Sequence, residues 1–276
     1  MIRNTLLLSI FLALAVRAAA APIPASDIVL FADSFTFYDP AGRAETNNNP
    51  SNAIGPADGD TVSLGDLTSA ELAAGRSPGV IIVEFDFAIF DGPGADLAVF
   101  ENAFDFTLSG FPPEFVFAEL AFVEVSSNGV DFARFPSISL NVPNDGDNSD
   151  FATDPEELIT PFGSGFAGVN KTFIENLAGA ELAGFGTPFD LADLAADPLV
   201  TGGAVDLDNI RFVQIVDIPG TGDILDSLGN PIFDASLTFG SGGFDLDAVG
   251  GINVVPEPSA LLLLLAGCGL LGRSRR

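Results

Sequence analysis

Frequent glycine and proline residues limit this chain to short regular elements. Its 276 residues include 30 glycines and 19 prolines, and proline ends helices because it lacks an amide donor and clashes with the preceding turn. Short apolar runs bounded by turn residues are typical of strands, and helix-period patterns are few. The sequence therefore predicts an all-β fold: an antiparallel β-sandwich of the jelly-roll type with short helices and long loops.

Six segments have the composition of strands: residues 80–87, 96–100, 120–126, 130–135, 210–218 and 244–252. Between the third and the fourth, Asn128 and Gly129 predict a type I′ hairpin turn, because both residue types tolerate positive φ angles. The fifth is apolar on both faces, which favours a central position in a sheet. Helices are predicted at 68–74 and 191–196, and extended loops within the glycine- and aspartate-rich segment 137–206.

The first 21 residues have the three parts of a secretory signal peptide. A charged start at Arg3 precedes an apolar run at 5–16, and small alanines follow at 18–21. This order is typical of a leader that is removed, here near Ala21. The alternative is a buried first helix.

The other end of the chain combines a proline motif, an apolar run and a basic end. The run at 260–272 is shorter than the roughly 20 residues of a comfortable membrane span, which favours a transient anchor. The positive-inside rule keeps the basic end in the cytoplasm, and proline keeps the preceding backbone extended. The motif residues are Val255, Pro256, Glu257 and Pro258, and the basic residues are Arg273, Arg275 and Arg276.

This three-part tail resembles the PEP-CTERM sorting signal of exported proteins in Gram-negative bacteria. The resemblance implies an exosortase-type processing enzyme as a partner, transient anchoring in the inner membrane, and delivery to the cell surface or the extracellular space. It divides the chain into a signal peptide at 1–21, an acidic β-sandwich domain at 22–254 and a sorting tail at 255–276.

Charge and composition exclude several classes of function. Residues 22–255 hold five of the 10 basic residues and all but one of the 38 acidic residues, so this part has a formal net charge of −32. Nucleic acid is excluded as a partner, because its binding needs Lys and Arg to neutralise phosphates. The chain has no histidine, and its single cysteine, Cys268, lies in the tail. Histidine-based catalysis, the usual zinc ligands and disulfides are therefore excluded for the domain.

Five segments of the domain carry a second resemblance: residues 94–102, 121–132, 189–194, 210–217 and 243–249. In their order and sequence they resemble secreted bacterial proteins with a galactose-binding-like jelly-roll domain. This resemblance implies the fold and a tendency to bind carbohydrate, without naming a ligand.

A loop at 144–150 is rich in oxygen donors, which hard cations such as calcium prefer. Asp145, Asp147 and Asp150 are its candidate ligands. Numbered as an EF-hand from Asp145, the loop has Asp150 where glycine is required, and nearby prolines argue against flanking helices. The sequence leaves two alternatives, a non-helical calcium loop or a solvated polar loop.

Further acidic candidates lie beside predicted strands. Residues two apart on a strand share a face, and carboxylates in an apolar interior must be solvated, hydrogen-bonded or bound to a cation. Either calcium binding or a hydrogen-bonded structural role is therefore expected for these residues. They are Glu101, the pair Asp206 and Asp208, and the pair Asp245 and Asp247.

Together these features predict an exported cell-surface or extracellular-matrix protein that is not an enzyme and has no catalytic residue. Its expected ligands are Ca²⁺ and extracellular polysaccharide. Two alternatives remain open: an extracellular polysaccharide hydrolase that uses paired carboxylates, and a passive structural component of the matrix.

Overall fold

The structure, a computed structural model, describes residues 21–150, 152–160 and 167–255. The predicted signal peptide, apart from Ala21, and the predicted sorting tail, apart from Val255, lie outside the described residues.

The described residues form 19 short strands, two α-helices and six 3₁₀ helices. The strands are β1 (Ile23–Pro24), β2 (Leu30–Phe31), β3 (Ser34–Asp39), β4 (Val62–Ser63), β5 (Val80–Ile89), β6 (Leu97–Phe100), β7 (Phe104–Asp105), β8 (Phe115–Phe117), β9 (Ala121–Ser126), β10 (Ala133–Arg134), β11 (Ile138–Ser139), β12 (Val169–Asn170), β13 (Ile174–Glu175), β14 (Phe185–Phe189), β15 (Ile210–Asp217), β16 (Thr221–Leu225), β17 (Pro231–Phe233), β18 (Asp245–Leu246) and β19 (Ala248–Gly251). The α-helices are α1 (Ser69–Ala73) and α2 (Pro198–Thr201), and the 3₁₀ helices are Ala25–Asp27, Pro50–Ala53, Thr107–Ser109, Lys171–Phe173, Leu191–Leu194 and Leu207–Asn209.

Two five-stranded antiparallel sheets make the body of the domain. The first has the order β1-β14-β6-β19-β2, and the second has the order β10-β9-β15-β5-β3. Their inward-facing residues form one hydrophobic core, because alternate side chains of each strand point to the same face. This core confirms the predicted all-β sandwich; it includes Ile81, Val83 and Phe85 of β5, Val213 and Ile215 of β15, Leu97 and Val99 of β6, and Val249 of β19.

A second hydrophobic cluster covers the outer side of β9, all six residues of which are buried. Phe122 of this strand packs with Val116, Leu177, Ile218 and Ile232, which lie outside the two main sheets. The start of β9 and the end of β15, where Ala121 pairs with Asp217, are therefore buried from both sides. Acidic residues near these ends cannot reach water by turning outward.

Most strand predictions are confirmed, including the central position of β15 between β9 and β5. The predicted type I′ turn is wrong in detail. Gly129 has φ of 73°, but Asn128 is not among the residues with positive φ. Its side-chain Oδ1 instead accepts the N–H groups of Val130 and Asp131, at 2.8 and 2.9 Å. This local bonding makes a longer loop, and β10 is only two residues long.

The segment 137–206 is not a set of loops alone. It contains β14, which pairs with β1 and β6 in the first main sheet. Gly186 and Pro188 both disfavour a strand, so the sequence of this segment does not predict β14. The helix predicted at 68–74 is α1, whose Thr68 forms a capping box with Glu71, whereas the helix predicted at 191–196 is a single 3₁₀ turn.

Candidate functional site: a buried acidic cluster beside a cavity

Five carboxylates from distant parts of the sequence meet in the interior, and we call them the buried acidic cluster. They are between 1% and 4% exposed. Each stands at the end of a strand or in a short connection, where chain reversals bring the elements together. Glu101 follows β6, Glu119 lies between β8 and β9, Asp217 ends β15, Asp234 follows β17 and Asp245 begins β18.

Several oxygens of this cluster lack any hydrogen-bond partner. Neither carboxylate oxygen of Glu101 has one, and one oxygen each of Glu119, Asp217 and Asp245 is also unpartnered (Oε1, Oδ2 and Oδ1). The backbone N–H groups of Asn102 and Ala103 are directed toward Glu101 and act to lower its pKa, but neither meets hydrogen-bond geometry with the carboxylate oxygens. An unpaired buried carboxylate is costly, so these five oxygens require a further partner.

The other oxygens fix the carboxylates in place. Asp217 Oδ1 accepts the N–H of Phe244 at 2.8 Å, and Asp234 Oδ2 accepts the N–H of Leu120 at 2.7 Å. Asp245 Oδ2 accepts from the side-chain amide of Asn102 at 3.3 Å. The carboxylates are therefore held by the fold with part of their bonding capacity free.

Burial raises the pKa of every member of the cluster. It raises the pKa of Glu101 and Glu119 well above the usual 4.5, and their negative neighbours add to the effect. It likewise raises the pKa of Asp217 and Asp234 well above 3.8, against the opposing N–H bonds. Burial raises the pKa of Asp245 to about 6. All five groups would take up a charge with difficulty unless a cation lay near them.

No basic residue in the described part of the chain neutralises this cluster by a salt bridge. Arg43 donates instead to the backbone carbonyl of Asp66 and to Glu71, both at 2.8 Å. Asp66 is itself buried beside the cluster and accepts N–H groups of Leu67 and Thr238. Its negative charge contributes to the raised pKa of Asp217.

A cavity of about 480 Å³ opens against one side of the cluster. Glu119 and Asp245 line it, together with polar side chains and three phenylalanines, two of which are exposed. The remaining lining residues are Asn102, Phe104, Phe117, Leu237, Thr238, Phe239 and Ser241. The cluster is therefore reachable by an ion or a small ligand from one direction.

The structure brings Glu101 and Asp245 together, as two of the predicted metal ligands, but it places the others elsewhere. Asp247 is buried and accepts the N–H groups of Asp58 and Gly59, at 3.2 and 3.1 Å. Asp206 and Asp208 are exposed on a 3₁₀ turn and not on a strand, and Asp206 caps that turn by accepting the N–H of Asp208.

In the predicted calcium loop, the structure separates the three aspartates by role. Asp145 and Asp147 accept the N–H groups of Asp147 and Ser149, at 2.9 and 2.8 Å. Asp150 groups with Asp154 and Glu157, each offering an oxygen within 4.8 Å of the others. Glu157 accepts the N–H of Asp145, so this compact group already uses backbone donors.

A second compact group contains Asp91, Asp96 and Asp190, with the same spacing. Asp96 accepts hydrogen bonds from Gly92, Leu191 and Asn253, at 2.7 to 2.8 Å. Its role is to join three chain segments. Of the described residues, only these two groups bring oxygens of three carboxylates within 4.8 Å of one another. The carboxylate oxygens of the buried acidic cluster are therefore spaced more widely.

Sequence reasoning missed Glu119, Asp217 and Asp234. Each is a single acid within an apolar run, at 115–123, 212–218 and 231–235 respectively. Such an isolated acid is the signal that could have identified them, because its neighbours place it in the core. The sequence pattern does not predict that these three acids lie close together, because their proximity depends on long-range strand pairing.

A comparison with protein-family models finds no match for this chain, and a comparison with curated proteins finds no significant relative. Within the described ranges, no helix has the length and apolar character of a membrane span. The class defined by the structure is an antiparallel β-sandwich with a buried acidic cluster beside a cavity.

Proposed function

We propose that the protein is exported to the cell surface or extracellular matrix, where it binds calcium and polysaccharide without enzymatic activity. The observation that carries this proposal is the buried acidic cluster, with its unpartnered oxygens, beside a cavity that also has aromatic walls.

Export is supported by the two ends of the chain. The leader pattern at 1–21 and the tail pattern at 255–276 surround the acidic domain in the order that a sorted protein requires. On this proposal an exosortase-type enzyme acts at the motif Val255 to Pro258, after transient anchoring in the inner membrane. Finding the intact chain in the cytosol would overturn this half of the proposal.

Calcium binding is supported by the chemistry of the free oxygens. Ca²⁺ takes six to eight oxygen ligands in flexible geometry, and extracellular sites commonly bind it at 10⁻⁴ to 10⁻³ M. A domain with a formal net charge of −32 also gains from a bound cation through reduced self-repulsion.

Calcium is expected to raise the melting temperature of the purified protein. At a tenfold excess over Kd, binding to the native state contributes about 1.4 kcal/mol, which is roughly 3–6 °C for a domain of this size. Thermal unfolding followed by circular dichroism, with and without millimolar CaCl₂, measures this shift. MgCl₂ is the control and should have a smaller effect, because Mg²⁺ demands near-ideal octahedral geometry. An unchanged melting temperature would remove calcium from the proposal.

Polysaccharide binding is supported by the aromatic walls of the cavity. Phe104 stacks on Phe117 with ring centroids 4.9 Å apart, and Phe239 is 72% exposed at the same cavity. Asn102 and Ser241 supply polar groups beside these rings. A sugar has apolar ring faces and polar edges, so it matches such a mixed surface.

The variant Phe239→Ala is expected to weaken polysaccharide binding roughly tenfold, since aromatic contacts contribute about 1 kcal/mol or more. The ring is exposed, so the melting temperature should change little. Binding to neutral and acidic polysaccharides in the presence of calcium is the measurement. The matched control is Phe185→Ala, which removes another partly exposed ring outside the cavity. If neither the wild type nor the variants bind any polysaccharide, a passive structural component is the better description.

One observation favours a hydrolase as a second candidate. The cavity contains two carboxylates, Glu119 and Asp245, in unequal environments, and an acid and a base of this kind can cleave glycosidic bonds. The free oxygens of Glu101, which does not line the cavity, are better explained by a cation. Shortening of a polysaccharide by the wild type but not by Asp245→Asn would favour the hydrolase.

A further inference from the structure

We infer that the calcium ion lies inside the buried acidic cluster, held by Glu101, Glu119 and Asp245 at the base of the cavity, and not in either of the two compact acidic groups. This inference rests on the proposed binding of calcium and assigns its site.

The unpartnered side chain of Glu101 is the independent observation that points to an ion. This residue is 2% exposed, and both of its oxygens lack hydrogen-bond partners. The carboxylate of Asp245 acts on it more strongly than any other charge. Two neighbouring ionised carboxylates repel each other unless a cation lies near them.

If protons alone neutralised the carboxylates, the hydrogen bonds within the cluster would be different. A protonated carboxyl group is a donor, and in the interior it should hydrogen-bond to the neighbouring carboxylate. Neither oxygen of Glu101 bonds to another carboxyl group. A shared proton therefore does not account for the two free oxygens of Glu101.

The number and type of the free oxygens select calcium among the common cations. The cluster offers five unpartnered carboxylate oxygens, from Glu101, Glu119, Asp217 and Asp245. They are hard ligands, and no histidine exists in the chain to favour zinc. Because the carboxylates are spaced more widely than in the two compact groups, binding draws Glu119 and Asp245 inward. Water or a ligand from the cavity completes the six to eight positions.

Several acidic residues outside the buried acidic cluster already accept backbone hydrogen bonds. Asp145 and Asp147 each accept a backbone N–H within their own turn. Asp96 has both oxygens hydrogen-bonded. These side chains stabilise turns and chain crossings through such bonds, whereas five oxygens of the buried acidic cluster have no hydrogen-bond partner.

Tyr38 provides an optical test of this assignment. It is the only tyrosine, and the chain has no tryptophan. Its hydroxyl donates to the carbonyl of Ser63 at 2.7 Å, and Ser63 lies directly opposite Asp245 in the β4–β18 pair. Burial and the Asp245 carboxylate raise the pKa of Tyr38 to about 12. A terbium ion that replaces calcium in the cluster should therefore be sensitised by Tyr38.

The experiment measures Tb³⁺ emission from the purified protein, excited at a wavelength absorbed by tyrosine but not by phenylalanine. We expect sensitised emission that excess calcium abolishes. The Tyr38→Phe variant should lose the emission while keeping the calcium-induced rise in melting temperature. Glu101→Gln should reduce the emission severalfold, and the control Asp150→Asn, in the compact group with Asp154 and Glu157, should leave it unchanged.

The outcomes separate this assignment from the proposed function. If calcium raises the melting temperature but Tb³⁺ emission is not sensitised, or if Asp150→Asn abolishes it, the ion lies elsewhere and this inference is wrong. If calcium has no effect on unfolding, the calcium part of the proposed function is wrong and the inference is wrong with it. The measurement on the wild type decides even if a variant fails to fold.

Discussion

In the absence of divalent cations, the protein should become less stable as the pH rises from about 5 to 8. The pKa of each member of the buried acidic cluster is higher in the folded state than in the unfolded state, because burial disfavours the charged form. Between the two pKa values the folded protein binds more protons. The stability that these groups contribute is therefore complete below about pH 4 and is lost as the pH passes the folded pKa.

Asp245 sets the scale of this effect. Its pKa rises from 3.8 to about 6, which corresponds to a loss on the order of 3 kcal/mol by pH 8. Below about pH 4 the trend should reverse, because groups such as Glu71, whose pKa is lowered to about 2 by bonds from Thr68 and Arg43, then become protonated. Stability without calcium should thus be greatest near pH 4–5.

Urea unfolding in EDTA at several pH values measures this dependence. The repulsion among exposed carboxylates acts in the same direction, so the series should be repeated at high salt, which screens exposed charges much more than buried ones. With saturating calcium the decline should disappear, because a bound cation favours the ionised form. A decline that high salt removes and calcium leaves unchanged would contradict the assignment to buried groups.

The sequence predicted the sandwich well because its strongest strands are locally distinct. The segments of β5, β9 and β15 are apolar, rich in β-branched residues and bounded by turn signals, so their local preference agrees with the fold. β14 was not predicted, because Gly186 and Pro188 disfavour a strand locally and only pairing with β6 stabilises it. Tertiary pairing outweighed local preference at that position.

The candidate site was less predictable for the same physical reason. Glu101 and Asp245 were recognised as possible ligands, but acid spacing along the chain also selected Asp206 and Asp208, which lie on an exposed 3₁₀ turn. Periodicity shows which residues share a face of one strand, and the cluster is assembled from the ends of different strands. Burial of single acids, as at Glu119, is the more informative signal for such a site.

The variant Glu101→Gln should change stability in opposite directions with and without calcium. In EDTA at pH 8, the neutral amide removes the cost of a buried, unpartnered charge, so the free energy of unfolding should rise by on the order of 2 kcal/mol. In millimolar calcium the variant lacks a charged ligand, so it should lose most of the stabilisation that the ion gives the wild type. Urea unfolding under both conditions measures the two effects on one pair of proteins.

The matched control is Glu175→Gln, which makes the same chemical change at an exposed position of β13. Surface substitutions of this kind usually alter stability by less than about 0.5 kcal/mol, and the response to calcium should match that of the wild type. If Glu101→Gln is instead destabilised both in EDTA and in calcium, the assignment of calcium to this cluster is contradicted. Glu101 would then act as a hydrogen-bond acceptor for the nearby N–H groups of Asn102 and Ala103, since an amide accepts more weakly than a carboxylate. A reversal of sign can arise only if the charge of Glu101 is unfavourable in the empty protein and favourable beside a cation.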